Sequence, residues 1–105
     1  MMLELVYDKD VRIAESRHML ELYLDEKHGE ALAVFIPQEP GVPQPCHELH
    51  EIARALLREF VPTARLKVLL CNPTQRSFQW LDISPTVQWR PAPVDEVRGS
   101  GLAWA

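Results

Sequence analysis

The residues best suited to chemistry gather at the start of one predicted helix. Cys46, His47 and His50 lie within five positions, and Cys71 follows in a later apolar segment. Thiolate and imidazole groups are natural ligands for zinc. Because helical residues advance by about 100° each, Cys46 and His50 share one side of the helix, while His47 points elsewhere and is an alternate ligand. These positions define a candidate zinc site of Cys46, His50 and Cys71.

The position of Cys71 depends on how its strand packs. A helix over 46–60 rises about 21 Å and a strand over 65–71 returns about 20 Å, so the two cysteines can reach one end of the molecule. Alternation nevertheless puts Cys71 on the strand face opposite Leu66, Val68 and Leu70. If those three residues meet the helix, Cys71 points away from it. The metal or thiol hypothesis therefore ranks below ordinary hydrogen bonding at the helix start.

Other reactive patterns are weaker. A thiol at a helix N-terminus, as at Cys46, is expected to have a lowered pKa, but the sequence places no general base beside it. Asp8 and Asp10, separated by one lysine, fit a solvated turn better than a catalytic pair. The spacing over 47–51 is not that of the H-E-x-x-H metalloprotease motif, and the four glycines form no phosphate-binding loop. We expect a protein that is not an enzyme and that needs no cofactor.

Composition and charge restrict the class of protein. The 105 residues are 47% hydrophobic and 25% charged, which is typical of one soluble globular domain. The net charge of −4, without a basic run, disfavours nucleic-acid binding. The hypothesis of nucleic-acid binding depends on four scattered cations, Arg12, Arg17, Arg65 and Lys67. No segment is long and apolar enough for a membrane span, and the N-terminus does not resemble a signal peptide, so we expect a cytoplasmic protein.

One segment, 43–61, has clear helical periodicity. Its apolar residues recur at intervals of three and four and form a single stripe, Leu49, Ile52, Ala53, Leu56, Leu57 and Phe60. Pro45 suits the first helical turn, and Pro62 stops the helix. Charged residues, among them Arg54 and Arg58, take the other side. The stripe predicts a helix that packs against the core.

The rest of the chain reads mainly as strands. Four are expected before the helix, over 1–7, 11–15, within 16–24 and over 30–36, and three after it, over 65–71, 78–83 and 86–90. Residues 16–29 also fit a helix that ends at Gly29. We favour the strand, because a helix would carry leucines and a tyrosine around most of its circumference, and because 25–29 suits a hairpin loop.

The expected order is therefore four strands, one helix and three strands, ββββ-α-βββ. One main helix on a mostly antiparallel sheet of six or seven strands makes a two-layer α+β sandwich. This single domain is expected to span 1–90. A loosely ordered C-terminal tail, rich in proline, glycine and alanine, is expected over 91–105.

The aromatic residues indicate a binding role. A sheet covered by one helix leaves one face open, where tryptophan and tyrosine commonly anchor partners. Phe78, Trp80 and Trp89 on the sheet, with Arg54 and Arg58 on the helix, are the expected partner-binding residues. The alternative is that Phe78 and Trp80 pack beneath the helix. We expect a protein-interaction or adaptor module that forms a homodimer through sheet faces or edges, in a context such as a phage or mobile-element inhibitor of a host protein.

Overall fold

The sheet and helices are defined over most of the chain. A computed structural model describes residues 3–13, 16–39, 44–72, 75–83 and 86–102. The elements follow in the order βββαβββα: β1 (Glu4–Ile13), β2 (Ser16–Asp25), β3 (Glu30–Pro37), α1 (Cys46–Leu57), β4 (Arg65–Asn72), β5 (Ser77–Asp82), β6 (Gln88–Pro91) and α2 (Val94–Gly99).

The six strands of the described residues form one sheet whose spatial order matches the chain order, β1-β2-β3-β4-β5-β6. Four neighbouring pairs are antiparallel. The central pair of β3 and β4 is parallel, with Glu30 opposite Arg65 and Phe35 opposite Leu70. A parallel pair needs a crossover connection, and α1 provides it, which places this helix on one face of the sheet.

The apolar stripe of α1 packs against the sheet, as predicted. Leu49, Ala53 and Leu57 have no exposed surface, and they contact alternate residues of β2, β3 and β4. The helix starts after Pro45 and ends at Leu57. It is therefore shorter than the predicted 43–61, whose first residue lies outside the described residues. Packing of the stripe fixes the rotation of α1 about its axis.

β1 is one ten-residue strand where the sequence predicts two strands and a turn. It pairs with β2 along its length, from Glu4 to Ile13. The polar residues 8–10 continue the strand without a turn, because a neighbouring strand of equal length supplies backbone partners throughout. Residues 14 and 15, at the end of the predicted second strand, lie outside the described residues.

The strand favoured within the ambiguous segment 16–29 is confirmed. β2 pairs with β3, and residues 26–29 form the connecting turn. Gly29 adopts the left-handed conformation, with φ of 64°. Asp25 stabilises this turn, since its carboxylate accepts a hydrogen bond from the backbone N–H of His28 (3.2 Å) and lies 2.8 Å from Nδ1 of the same residue.

The second face of the sheet is partly covered by α2. Val97 of this helix and Leu102 after it are almost fully buried, in a core cluster with Leu32, Leu69 and Trp80 of the sheet. A mixed α+β fold is therefore confirmed, while the description as one helix on a two-layer sandwich holds only loosely. Within the described residues, neither helix is long and apolar enough to cross a membrane.

The chain reaches α2 from the edge strand β6. The backbone N–H of Ala92 donates to the carbonyl of Phe78 (2.9 Å) and thereby continues the pairing of β5 with β6. The hydroxyl of Ser100 donates to the carbonyl of Val97 (2.6 Å) at the end of α2. Much of the segment that the sequence predicts to be a loose tail thus packs against the sheet, and residues 103–105 lie outside the described residues.

Candidate functional site

The sheet separates the two cysteines of the candidate zinc site. Cys46 begins α1, whereas Cys71 belongs to the core cluster on the opposite face. The cause is alternation along β4, where Val68 and Leu70 contact the α1 side and the next residue faces away. Of the two packing alternatives, the structure adopts the one in which Cys71 points away from α1.

Cys46 is partly buried at the start of α1. Its Sγ lies 3.9 Å from the carbonyl oxygen of Gln44, to which the thiol donates. Burial raises the pKa of Cys46, and the carboxylate of Glu48 adds to the rise, while backbone N–H groups, including that of Trp89, oppose it. Desolvation thus opposes the lowering of the thiol pKa that a helix N-terminus favours.

Cys71 is shielded more strongly. It has no exposed surface. Burial, together with the carboxylate of Glu21, raises the pKa of Cys71 to about 11. A thiol held protonated in an apolar layer packs as a small hydrophobic side chain at neutral pH.

His50 and His47 stay on the surface of α1, the first half-buried and the second exposed. Burial lowers the pKa of His50, and the positive charge of Arg54 lowers it further. A neutral imidazole can bind a metal ion, but a site needs more ligands. Within the described ranges, no group of three or more cysteine, histidine, aspartate or glutamate side chains is placed to hold one. Cys46 and His50 thus lie about one turn apart on α1, while Cys71 lies on the other face of the sheet.

The residues predicted to bind a partner lie on different faces. Trp80 is 5% exposed in the cluster that α2 covers, and Phe78 packs against the same cluster. Trp89 packs on the α1 side, where Arg54 is half-buried and Arg58 is exposed. Trp80 therefore has little surface to offer a partner. The alternative of packing beneath a helix applies to it, with α2 as that helix.

Gln44 connects distant strands at the point where α1 begins. Its backbone carbonyl accepts from the indole N–H of Trp89 (3.2 Å), and its side-chain oxygen accepts from Nε2 of His18 (2.5 Å). His18 is fully buried, with its ring edge-on to Phe35 at a centroid distance of 6.3 Å. These contacts position the first turn of α1 between β2 and β6.

The four cations considered for nucleic-acid binding lie at opposite ends of the sheet. Arg12 pairs with Arg17 at one end of β1 and β2. Arg65, two positions before Lys67, pairs with Glu30 at the other end and forms an ion pair with it. The length of β3, about 26 Å, separates the two groups. They do not form a single basic surface.

Exposed apolar side chains that the sequence patterns do not single out lie on both faces of the sheet along its β1 edge. Leu5, Val6 and Phe60 are 48%, 37% and 39% exposed. The ring of Phe60 packs edge-on against Tyr7, with centroids 6.1 Å apart. A register shift between Leu5 and Tyr7 leaves Val6 outside the pairing with β2. We call Leu5, Val6, Tyr7 and Phe60 the edge patch.

A cleft of about 200 Å³ opens where β4 and β5 diverge. Its walls are formed by Leu66, Lys67 and Val68 of β4 and by Trp80, Leu81 and Asp82 of β5. Arg90 of β6 and Glu96 of α2 complete its rim. We call this space the β4–β5 cleft. Lys67 and Trp80 belong to different strands, and the divergence of β4 and β5 that places both at this cleft leaves no local pattern in the sequence.

Comparisons with known proteins do not assign a function, because no family model, no curated protein and no solved structure matches this chain. The functional conclusion therefore depends on the surfaces described above. Of these, the edge patch is the one with the most exposed apolar side chains.

Proposed function

We propose that the protein is a small, non-enzymatic interaction module that acts as a homodimer through the edge patch. One observation carries this proposal: three exposed apolar side chains lie beside the outer edge of a ten-residue edge strand. An edge strand presents backbone donors and acceptors to any chain that approaches it. Apolar side chains at the same place provide the hydrophobic contact that makes such an approach stable.

A second copy of the chain fits this surface. In an isologous dimer the same patch on each copy meets its equivalent, so apolar surface is covered by apolar surface. A stable dimer buries roughly 800 Å² on each partner, which is about an eighth of the 6465 Å² that the chain exposes. The edge patch, with the backbone of β1 beside it, supplies the apolar centre of such an interface.

The charges further along β1 favour a closed dimer over continued strand addition. Asp8, Lys9 and Asp10 follow the edge patch directly and are all exposed. Charged side chains on an edge strand oppose pairing with further chains. The contact is therefore centred on Leu5 and Val6, not on the middle of β1.

As an adaptor, the protein would also bind a different protein. The residues that support this contact are Trp89, Arg54 and Arg58, which belong to the α1 side of the molecule. Trp80 is not included, because its 5% exposure leaves too little surface for a partner. Arginine and tryptophan are the residue types that most often dominate binding energy at interfaces.

The homodimer is tested by sedimentation equilibrium. The wild-type chain at about 50 μM is expected to have twice the 12.1 kDa mass of one chain. Val6→Asp puts a charge into the edge patch and is expected to raise the dimer Kd by about tenfold or more. A wild-type protein that stays monomeric at about 500 μM would contradict the proposal.

The matched control is Ile83→Asp. Ile83 is 54% exposed, more than any residue of the edge patch, and it follows β5, away from the β1 edge. The same substitution there is expected to leave the dimer Kd unchanged. Equal weakening by both variants would mean that a general loss of hydrophobic surface, and not the edge patch, controls association. Circular dichroism verifies that both variants are folded.

A further inference from the structure

β4 forms one wall of the β4–β5 cleft, and part of this strand has a pairing partner on one side only. β3 pairs with β4 from Arg65 onward, but β5 joins only at Leu69, opposite Trp80. Beyond that point Leu81 and Asp82 pair with β6 alone. The backbone of 66–68 therefore has no strand partner on its β5 side in the described part of the chain. A short extended segment can supply the missing backbone hydrogen bonds, as in strand addition.

One cation of the cleft has no carboxylate beside it. Arg90 contacts Asp82 (Nε to Oδ2, 3.1 Å) and Glu96 (Nη1 to Oε1, 3.7 Å). The ammonium of Lys67 instead lies 5.7 Å from the ring centroid of Trp80. No carboxylate among the described residues lies within ion-pair distance of Lys67. Lys67 is therefore the cation of the cleft that can pair with a carboxylate of a ligand.

The cleft also has apolar side chains and one unsatisfied donor. Leu66, Val68 and Leu81 contribute apolar surface from the α1 side of the sheet, and Trp80 contributes from the α2 side. The indole N–H of Trp80 is buried and has no acceptor among the described residues. The volume of about 200 Å³ suits one side chain, since pockets for drug-sized molecules span roughly 300–1,000 Å³.

We propose that the β4–β5 cleft binds the C-terminal residue of an extended peptide, one with an apolar side chain and a free carboxylate. The backbone of 66–68 pairs with the peptide, Lys67 receives the carboxylate, and the half-exposed side chains of Leu66 and Leu81 receive the last side chain. This combination is particular to a chain end, where a carboxylate and an apolar side chain belong to the same residue. The site shares no residue with the edge patch and is independent of the homodimer.

The test is a titration of the ¹⁵N-labelled chain, followed by heteronuclear NMR. The probe is an N-acetylated tetrapeptide of three serines and a C-terminal leucine, added to about 2 mM as the free acid and, separately, as the C-terminal amide. Shifts are expected at the amides of 66–68 and at the indole N–H of Trp80. The free acid is expected to bind about tenfold or more tightly than the amide.

Variants of Lys67 test the contribution of its charge separately from the packing of the peptide side chain. Lys67→Gln is expected to weaken the free acid about tenfold or more and to leave the amide unaffected, while Lys67→Arg keeps the difference between the two peptides. Lys27→Gln, in the exposed turn between β2 and β3, is the matched control and is expected to have no effect.

Three results would overturn the proposal. They are the absence of shifts at about 2 mM, equal affinities for the free acid and the amide, and binding of N-acetylleucine as tight as that of the tetrapeptide. The third would mean that the edge of β4 does not pair with a peptide. Sedimentation of the same samples reports the dimer separately, so failure of the peptide site is distinguishable from failure of the homodimer.

Discussion

Nε2 of His18 lies 2.5 Å from the side-chain oxygen of Gln44, although the two residues are 26 positions apart. His18 is fully buried in β2, and Gln44 stands two residues before α1. The carbonyl of Gln44 also accepts from Trp89 of β6. One residue therefore holds the start of the helix against two strands that are not neighbours in the sheet.

Replacing Gln44 by alanine is expected to lower the free energy of unfolding by about 1–3 kcal/mol, because the buried imidazole loses its hydrogen-bond partner. Urea unfolding followed by circular dichroism measures the change. Gln38→Ala is the matched control, since the side chain of Gln38 is exposed where it donates to the carbonyl of Ile36. We expect a change within about 0.5 kcal/mol there. Equal losses in the two variants would show that the bond to His18 adds no stability.

Stability is expected to fall as the pH rises from 9 to 11, in part because of Cys71. Its pKa is raised from the ordinary value of 9.0 to about 11 in the folded chain. Over this window the unfolded chain loses the thiol proton while the folded chain keeps it, so rising pH favours unfolding. At about 1.4 kcal/mol per pKa unit, the effect amounts to about 2–3 kcal/mol.

Comparison with Cys71→Ala isolates this contribution. Urea unfolding at pH 8, 9, 10 and 11 is expected to show a shallower loss of stability for the variant than for the wild type. Cys46→Ala, in which a half-buried thiol is removed, is expected to retain most of the wild-type slope. Parallel curves for the wild type and Cys71→Ala would contradict the assignment.

His50 gives the opposite dependence on pH. Burial and the charge of Arg54 lower its pKa from 6.5 in the folded chain. As the pH falls below about 7, the unfolded chain takes up a proton before the folded chain does, so stability decreases until the folded pKa is reached. Relative to His50→Gln, the wild type is expected to lose stability between about pH 7 and pH 5. A constant difference between the two proteins over this range would rule the effect out.

Leu102→Ala is expected to lower the free energy of unfolding by about 2–5 kcal/mol, because Leu102 is 1% exposed in the core cluster beneath α2. Ile83→Ala is the control, with a change within about 0.5 kcal/mol, because Ile83 is 54% exposed. Thermal and urea unfolding measure both. A small effect at Leu102 would show that the segment after α2 does not contribute to the core.

Local patterns predict the features that depend on a few neighbouring residues. The interval of four between Leu49, Ala53 and Leu57 predicts α1, because residues at this spacing share one face of a helix and are buried together. The turn at Gly29 follows from the freedom of glycine to adopt a positive φ. The alternation along β4 likewise puts Cys71 on the face opposite Val68 and Leu70.

Features that depend on long-range packing escape such patterns. α2 spans six residues, too few for a periodic signal, and its position is set where Val97 and Leu102 meet the sheet. The extended conformation of residues 8–10 depends on pairing with β2, and the burial of Trp80 depends on packing against α2. The edge patch and the β4–β5 cleft arise from a register shift and from diverging strands, and both are relations between segments.

Backbone geometry converts local spacing into faces, so the main helix, the hairpin at Gly29 and the alternation along β4 follow from the sequence alone. Which face of the sheet contacts which helix depends on long-range packing. The crossover from β3 to β4 put α1 against Val68 and Leu70, so the whole sheet stands between Cys46 and Cys71. The surfaces left for binding, at the β1 edge and between β4 and β5, are consequences of that packing.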